Sequence, residues 1–375
     1  MGNLFSRIFD FGKLGLSQKE SSVAAMDIGS SSIKVVQLRK EKGRAILETY
    51  GELATGPYLG MAVGQSVNLG ADKIVAIAQD LFKEANITSK SVEMAIPLRS
   101  SLLMSLELPK LKESELATAV PLEARKYIPV PISEILLDWW VIPKREDASP
   151  VYDDKNKAGG PKVEVLVAAI HKDTAKQYEE VAQRMAISMD FFEIETFSAI
   201  RSVMKNDLSA TAIVDFGAGT TKVAVIDYGV VRVSHTVNKG SQDITAALSR
   251  SLNVTFEKAE EIKRQVGLVE QVSEAGEMRP IISPIVEYVF AEVEKTIVNY
   301  QQKYSRSVDK IILIGGGTLL KGLADLAKAS IEIPIQIGTP FDKVEAPAFM
   351  EEALREAGSS FAVAIGLALR RLQDV

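Results

Sequence analysis

The chain has no cysteine and only two histidines, His171 and His235, among its 375 residues. Disulfides, thiolate metal sites and cysteine nucleophiles are therefore excluded, and the histidine count argues against a multi-histidine metal centre. Aromatic residues make up only 6%. Long apolar runs are missing too. The best, Phe361 to Leu369, is interrupted by Gly366 and is about half the roughly 20 residues a membrane span needs. The N-terminus lacks the basic start, apolar stretch and cleavage site of a secretory signal, so the expected location is cytoplasmic. Positive charge is in short supply: the net charge is −5 and the pI about 5.5, which argues against nucleic acid as a partner. What remains is a globular mixture, 46% hydrophobic and 25% charged, long enough for two domains because single cores stop growing near about 250–300 residues.

Two stretches follow one template. Met26-Asp27-Ile28-Gly29-Ser30-Ser31-Ser32-Ile33-Lys34-Val35-Val36 and Val214-Asp215-Phe216-Gly217-Ala218-Gly219-Thr220-Thr221-Lys222-Val223-Ala224 each carry an Asp, a Gly two residues later, small or hydroxyl residues, and a Lys seven residues after the Asp. Apolar runs flank both. The pattern predicts strand, tight turn, strand, with turn residues that tolerate φ > 0 and backbone N–H groups able to form an anion nest. A single Asp reads equally well as a turn cap. The matched pair favours a phosphate chain gripped from both sides, with a hard cation such as Mg²⁺ between the carboxylates and the phosphates. Lys34 and Lys222 point at phosphate or cover the sheet edge as solvated charges. Ser30, Ser31 and Ser32 donate to phosphate or to their own turn.

Around these hairpins the sequence predicts strands from Val23 to Tyr50, a helix from Lys73 to Ala85 and a strand from Ser91 to Ile96. An α+β insert follows, with a helix from Glu113 to Tyr127, strands at 135–142 and 163–170, a polar loop at 144–162 and a helix from Asp173 to Met185. Trp139 and Trp140 alternate faces on the first of those strands. After the second hairpin come helices over 241–304, broken at 275–284, then a strand Lys310 to Ile314 running into Gly315-Gly316-Gly317. That turn is expected to open a helix from Leu319 to Ala329, the arrangement in which a helix N-terminus meets an anion. A last helix spans Ser360 to Arg371. Leu4, Phe5, Ile8, Phe9 and Phe11 form one face of a short amphipathic tail, which lies on a membrane surface, on a partner, or on its own domain.

The order of two Asp–Gly hairpins, a helical segment and a Gly-Gly-Gly turn resembles the actin-like ATPase superfamily, over essentially residues 22–371. That resemblance implies an α/β, actin-like (ribonuclease H-like) two-domain fold. Its first domain would span 21–98 plus 190–210, the insert 99–189, and the second domain 211–375 with a helical subdomain at 241–304; 1–20 would be the tail. It also implies ATP with Mg²⁺ as cofactors. The nucleotide would be held by Asp27, Gly29, Ser30, Ser31, Ser32 and Lys34, by Asp215, Gly217, Gly219, Thr220, Thr221 and Lys222, and by Gly240, Gly315, Gly316 and Gly317. In Ala259-Glu260-Glu261-Ile262-Lys263-Arg264, Glu260 and Lys263 would touch ribose and adenine. Asp27 and Asp215 would serve the metal. Glu195 stands where some relatives position the attacking water, though without the usual following Pro; a buried or helix-capping role is the alternative.

Within the superfamily, Leu106-Glu107-Leu108-Pro109, Ala124-Arg125-Lys126-Tyr127-Ile128-Pro129 and Leu137-Asp138-Trp139-Trp140 of the insert resemble the FtsA cell-division family and, more closely, the PilM family of type IV pilus assembly proteins. The latter implies a cytoplasmic ATP-binding scaffold, at most a slow ATPase, under the inner membrane. It would hold the cytoplasmic N-terminal tail of the membrane protein PilN, meet other pilus platform components, reach the membrane through a partner or the tail, and leave room for homo-oligomers. An FtsA-like division ATPase and a sugar-kinase-like phosphotransferase are the alternatives.

Overall fold

The computed structural model describes residues 22–143, 161–205, 208–268 and 273–374. The amphipathic tail and nearly all of the 144–162 loop lie outside the described residues. Three antiparallel strands, β1 (Ser22–Ile28), β2 (Ser32–Glu41) and β3 (Arg44–Ala54), are followed by helix α1 (Ala71–Glu84) and β4 (Val92–Ile96). β4 and the short β8 (Phe192–Ile194) add parallel to β1, giving the order β3-β2-β1-β4-β8. The second half repeats this plan. β9 (Thr211–Phe216), β10 (Thr221–Asp227) and β11 (Val230–Val237) form the antiparallel trio. β12 (Lys310–Ile314) and β13 (Ile335–Ile337) add in parallel, in the order β11-β10-β9-β12-β13. Continuous apolar runs such as Val23-Ala24-Ala25-Met26, all fully buried, suit strands covered on both faces.

Between β4 and β8 lies the insert. β5 (Ser101–Pro109), α2 (Glu113–Ala124), β6 (Ile135–Val141), β7 (Lys162–His171) and α3 (Lys172–Met185) build a three-stranded sheet of order β5-β7-β6. Alternation on β6 sends Trp139 into the insert's own core and Trp140 against the main core, so both indoles pack. The insert also touches the second half. Glu164 of β7 pairs with Arg232 of β11 and accepts a hydrogen bond of 2.6 Å from the Tyr304 hydroxyl. The Arg232 side chain is only 8% exposed. Removing one partner of a buried pair strands the other charge, so Glu164→Ala should cost about 3 kcal/mol, read from the urea midpoint. A loss under about 0.5 kcal/mol would mean that this contact is idle.

Helices α4 (Glu195–Val203) and α10 (Ala362–Asp374) cross each other between the two large sheets, within one core that draws on both. By chain order α10 belongs with residues 211–375. Its buried face, Val363 to Leu372, instead packs on β1, β2 and β4 of the first sheet, beside α4, which touches β4 and β8. A second core fills the outer face of the second sheet under α5 (Ser241–Leu252), α7 (Ser273–Tyr304) and α8 (Leu323–Ser330); α6 (Phe256–Gln265) contributes Ala259 to it.

Two expectations fail here. α7 runs unbroken through Pro280 and Pro284, where a break at 275–284 was expected. A helix-interior proline costs about 3 kcal/mol, but Ile282, Val286, Val289, Phe290, Val293 and Ile297 are buried along this helix, and each repays about 1.5–3 kcal/mol. The glycine turn, moreover, does not open an α-helix. It runs into a 3-10 turn at Gly316–Leu319, and α8 begins only at Leu323.

Candidate functional site

The seven-residue Asp-to-Lys spacing has a direct structural cause. In the antiparallel β1–β2 pair Asp27 stands opposite Lys34, and in β9–β10 Asp215 stands opposite Lys222. The connecting turns are pinched. Neither Gly29 nor Gly217 takes a positive φ, contrary to expectation. Glycine is needed there for closeness: a Cβ would meet the Ser32 carbonyl oxygen at 2.8 Å or that of Thr220 at 2.9 Å. Gly315 is the residue with φ of +90°, and it fits tightly over Asp215.

Both hairpins open into one cleft of about 580 Å³, within the usual 300–1,000 Å³ of small-molecule sites. The cleft brings together Asp27, Gly29, Ser30, Ser31, Ser32 and Lys34 of the first hairpin with Asp215, Gly217, Gly219, Thr220 and Lys222 of the second. Gly315, Gly316, Gly317, Glu195, Glu260 and Lys263 complete the expected set. Two expected residues do not line it. Thr221 follows Thr220 on a strand, so alternation turns its side chain inward, where its hydroxyl donates to the Lys239 carbonyl at 2.9 Å. Gly240 sits just before α5, packed on the carbonyls of Ala218 and Gly217, and supports the turn from behind.

The two lysines behave differently. Lys34 donates to the Ser32 hydroxyl at 2.8 Å and pairs with Glu52 at 3.2 Å. Lys222 donates to Asp215 Oδ2 at 3.0 Å and to Glu195 Oε2 at 2.8 Å. The third strand of each sheet accounts for this. Glu52 on β3 faces Lys34, whereas β11 offers Lys222 only Thr236. Burial works to lower the Lys222 pKa, but Asp215 and Glu195 outweigh it and keep the ammonium firmly charged. Glu195, the first residue of α4, also accepts the Leu98 N–H at 2.5 Å, so both its oxygens are engaged. Among the described residues no hydrogen bond or ion pair reaches Asp27. Burial, with Lys34 only partly offsetting it and Glu195 adding repulsion, pushes its carboxyl up to about 6.

On the far wall Glu260 binds Lys263 at 2.6 Å, Arg264 at 2.7 Å and the Thr245 hydroxyl at 2.6 Å. Burial would raise the Glu260 pKa, but these partners bring it below the ordinary range; burial lowers that of Lys263. A backbone loop from the first half closes on this wall. The Ser66 N–H donates to Gln242 Oε1 at 2.8 Å, and Gly64 lies against the Glu260 carboxylate. Glu52, Arg264, Ser359 and Ser360 line the cleft without having been singled out. Arg264 was within reach, being four residues after Glu260 on one helical face. Glu52 needed the β2–β3 register, and the two serines needed the return of α10.

Comparison with known proteins agrees with this architecture. The family model described as type IV pilus assembly protein PilM matches residues 25–372. The cell division protein FtsA of Neisseria meningitidis serogroup B is 24% identical over 373 residues, covering 89% of each chain. Among solved structures, a PilM–PilN type IV pilus biogenesis complex superposes with a TM-score of 0.76 at 24% identity, covering 93% of this chain and 98% of that one. MreB5 of Spiroplasma citri bound to ADP superposes with a TM-score of 0.50 at 12% identity, covering 92% and 95%. The doubled sheet plan is the actin-like fold. A match that runs from within the first hairpin strand to the end of the last helix leaves one assignment: this chain belongs to the PilM family of type IV pilus assembly proteins.

Proposed function

We propose that the chain binds an adenine nucleotide with Mg²⁺ in the cleft and serves as a cytoplasmic scaffold of the pilus assembly platform. The observation that carries this reading is the convergence of both Asp–Gly hairpins on one cleft; MreB5, of the same fold, has been solved with ADP. Ser30 to Ser32 and Thr220 would contact phosphates. Glu260, Lys263 and Arg264 would face the nucleoside. Asp27 suits Mg²⁺, which keeps several waters and takes one or two carboxylates plus phosphate oxygens; when bound, the ion would neutralise charge between Asp27 and the phosphates. Because Glu195 has both oxygens engaged, turnover would be slow at most.

The partner in this reading is the cytoplasmic tail of a PilN-like membrane protein, seated between the first sheet and the insert; that a PilM–PilN complex has been solved supports the choice of partner. Among the described residues no helix is long and apolar enough to cross a membrane. Membrane contact would therefore come through that partner or through residues 1–20. Nucleotide would set the angle between the halves, shifting populations that the partner reads.

Titration calorimetry with Mg-ADP and Mg-ATP, followed by capture of a synthetic PilN-like tail peptide, tests both parts. Micromolar nucleotide binding and peptide capture are expected. Absence of heat with either nucleotide would end the first claim, and absence of capture the second.

A further inference from the structure

We infer that Lys222 is a built-in cation that takes the place of a divalent ion at Asp215, so that the metal is held from the first hairpin alone. This deepens the nucleotide reading and rests on it. Sequence symmetry makes Asp27 and Asp215 equivalent; the structure does not. Asp215 has one oxygen paired and the other crowded by backbone. Oδ2 accepts from Lys222 at 3.0 Å, and Oδ1 is packed so closely on Gly315 that a Cβ there would stand 2.3 Å away. Glu195 is closed in the same manner, with Oε2 on Lys222 and Oε1 on the Leu98 N–H. The residues present therefore do not fit a hydrated Mg²⁺ at Asp215, nor a water aligned by Glu195. Reaching either carboxylate would mean breaking one arm of the bridge that Lys222 makes between Asp215 and Glu195 in largely buried surroundings.

Asp27 is the opposite case. Its cross-strand lysine is drawn off by Glu52 and Ser32, so Asp27, which lines the same cleft as Asp215, lacks the lysine pairing that Asp215 has. The cause is one residue on each third strand, Glu52 against Thr236. An ammonium carries three donors. Asp215 and Glu195 take two, leaving one for a phosphate oxygen. Lys222 would thus tie Glu195, which follows β8 of the first sheet, to β10 of the second and offer phosphate a fixed positive charge, making it a positioning residue for nucleotide binding.

The test is ADP titration calorimetry on the full chain, each variant measured in Mg²⁺ and again in excess EDTA, with melting curves to confirm folding. The wild type should lose about tenfold in affinity on chelation. Asp27→Asn should bind equally well in both conditions. Asp215→Asn should keep the wild-type ratio within about twofold, and Lys222→Met should lose about tenfold or more in EDTA. The inference is overturned if Asp215→Asn abolishes the Mg²⁺ dependence as Asp27→Asn does, or if Lys222→Met binds in EDTA like the wild type. Should Lys222→Met melt as an unfolded chain, the contrast between the two aspartate variants decides alone. A wild type that binds no ADP in either condition would refute the nucleotide reading itself, a result distinct from binding with the wrong aspartate dependence.

Discussion

Asp27→Asn should weaken Mg-ADP binding by about 10–100-fold and at the same time make the ligand-free protein more stable. The two effects share one origin. The Asp27 carboxyl is raised to about 6, chiefly by burial, so the folded state holds its proton more tightly than the unfolded chain, whose value is near 3.8. Stability from this group is full below about pH 4 and is lost as pH rises through about 6; above that the ionised carboxylate is a standing cost. The full linkage for two units would be about 2.7 kcal/mol. The carboxylate keeps some contact with the cleft, so a gain of about 1–2 kcal/mol is expected for Asn at pH 7.5. Scanning fluorimetry of both proteins from pH 4.5 to 8 should give melting curves that converge at the acid end and separate by about pH 7. Parallel curves across the range would show that Asp27 is not desolvated. Loss of function with gain of stability is the signature of a strained binding group.

Gly366→Ala should destabilise the fold by about 3 kcal/mol or more. α4 and α10 cross so closely that a Cβ on Gly366 would stand 1.7 Å from the Ser198 carbonyl oxygen and 2.5 Å from its carbon. Backbone, not a flexible side chain, is what it would strike, so no rotamer change relieves the clash. The crossing is further fixed by Arg201, which donates to the Gly366 carbonyl at 2.9 Å and pairs with Glu193, while Arg370 and Arg371 hold α10 to Glu193 and Glu93. Gly70→Ala, where an added Cβ meets nothing within 4 Å, is the control and should stay within about 1 kcal/mol. Urea unfolding of the pair measures the difference. Equal midpoints would mean that the helices part easily.

Much of the cleft could be read from residue order because its logic is local. An Asp and a Lys seven apart, separated by Gly and hydroxyl residues, define a hairpin whose register needs no distant partner. The split between Lys34 and Lys222 was not legible, since it depends on a third strand whose register shifts between Gln37 and Leu38 in one sheet and between Val225 and Ile226 in the other. Local rules also misled at Pro280 and Pro284, where burial of one helical face overrides a breaker, and at Gly317, where the chain takes a 3-10 turn before it can begin α8. Contiguity gave no hint that α10 packs on the first sheet from so far along the sequence.

That return sets the order of events during synthesis. The apolar face of β1, β2 and β4 lacks the cover of α10 until Phe361 to Leu372 leave the ribosome, and at 5–20 residues per second the wait after β4 is on the order of tens of seconds. The insert, with its own core, and the second sheet's outer core can both form earlier. The first hairpin, although translated long before α10, would be among the last parts to acquire its final packing, and the cleft would be completed only once α10 has docked.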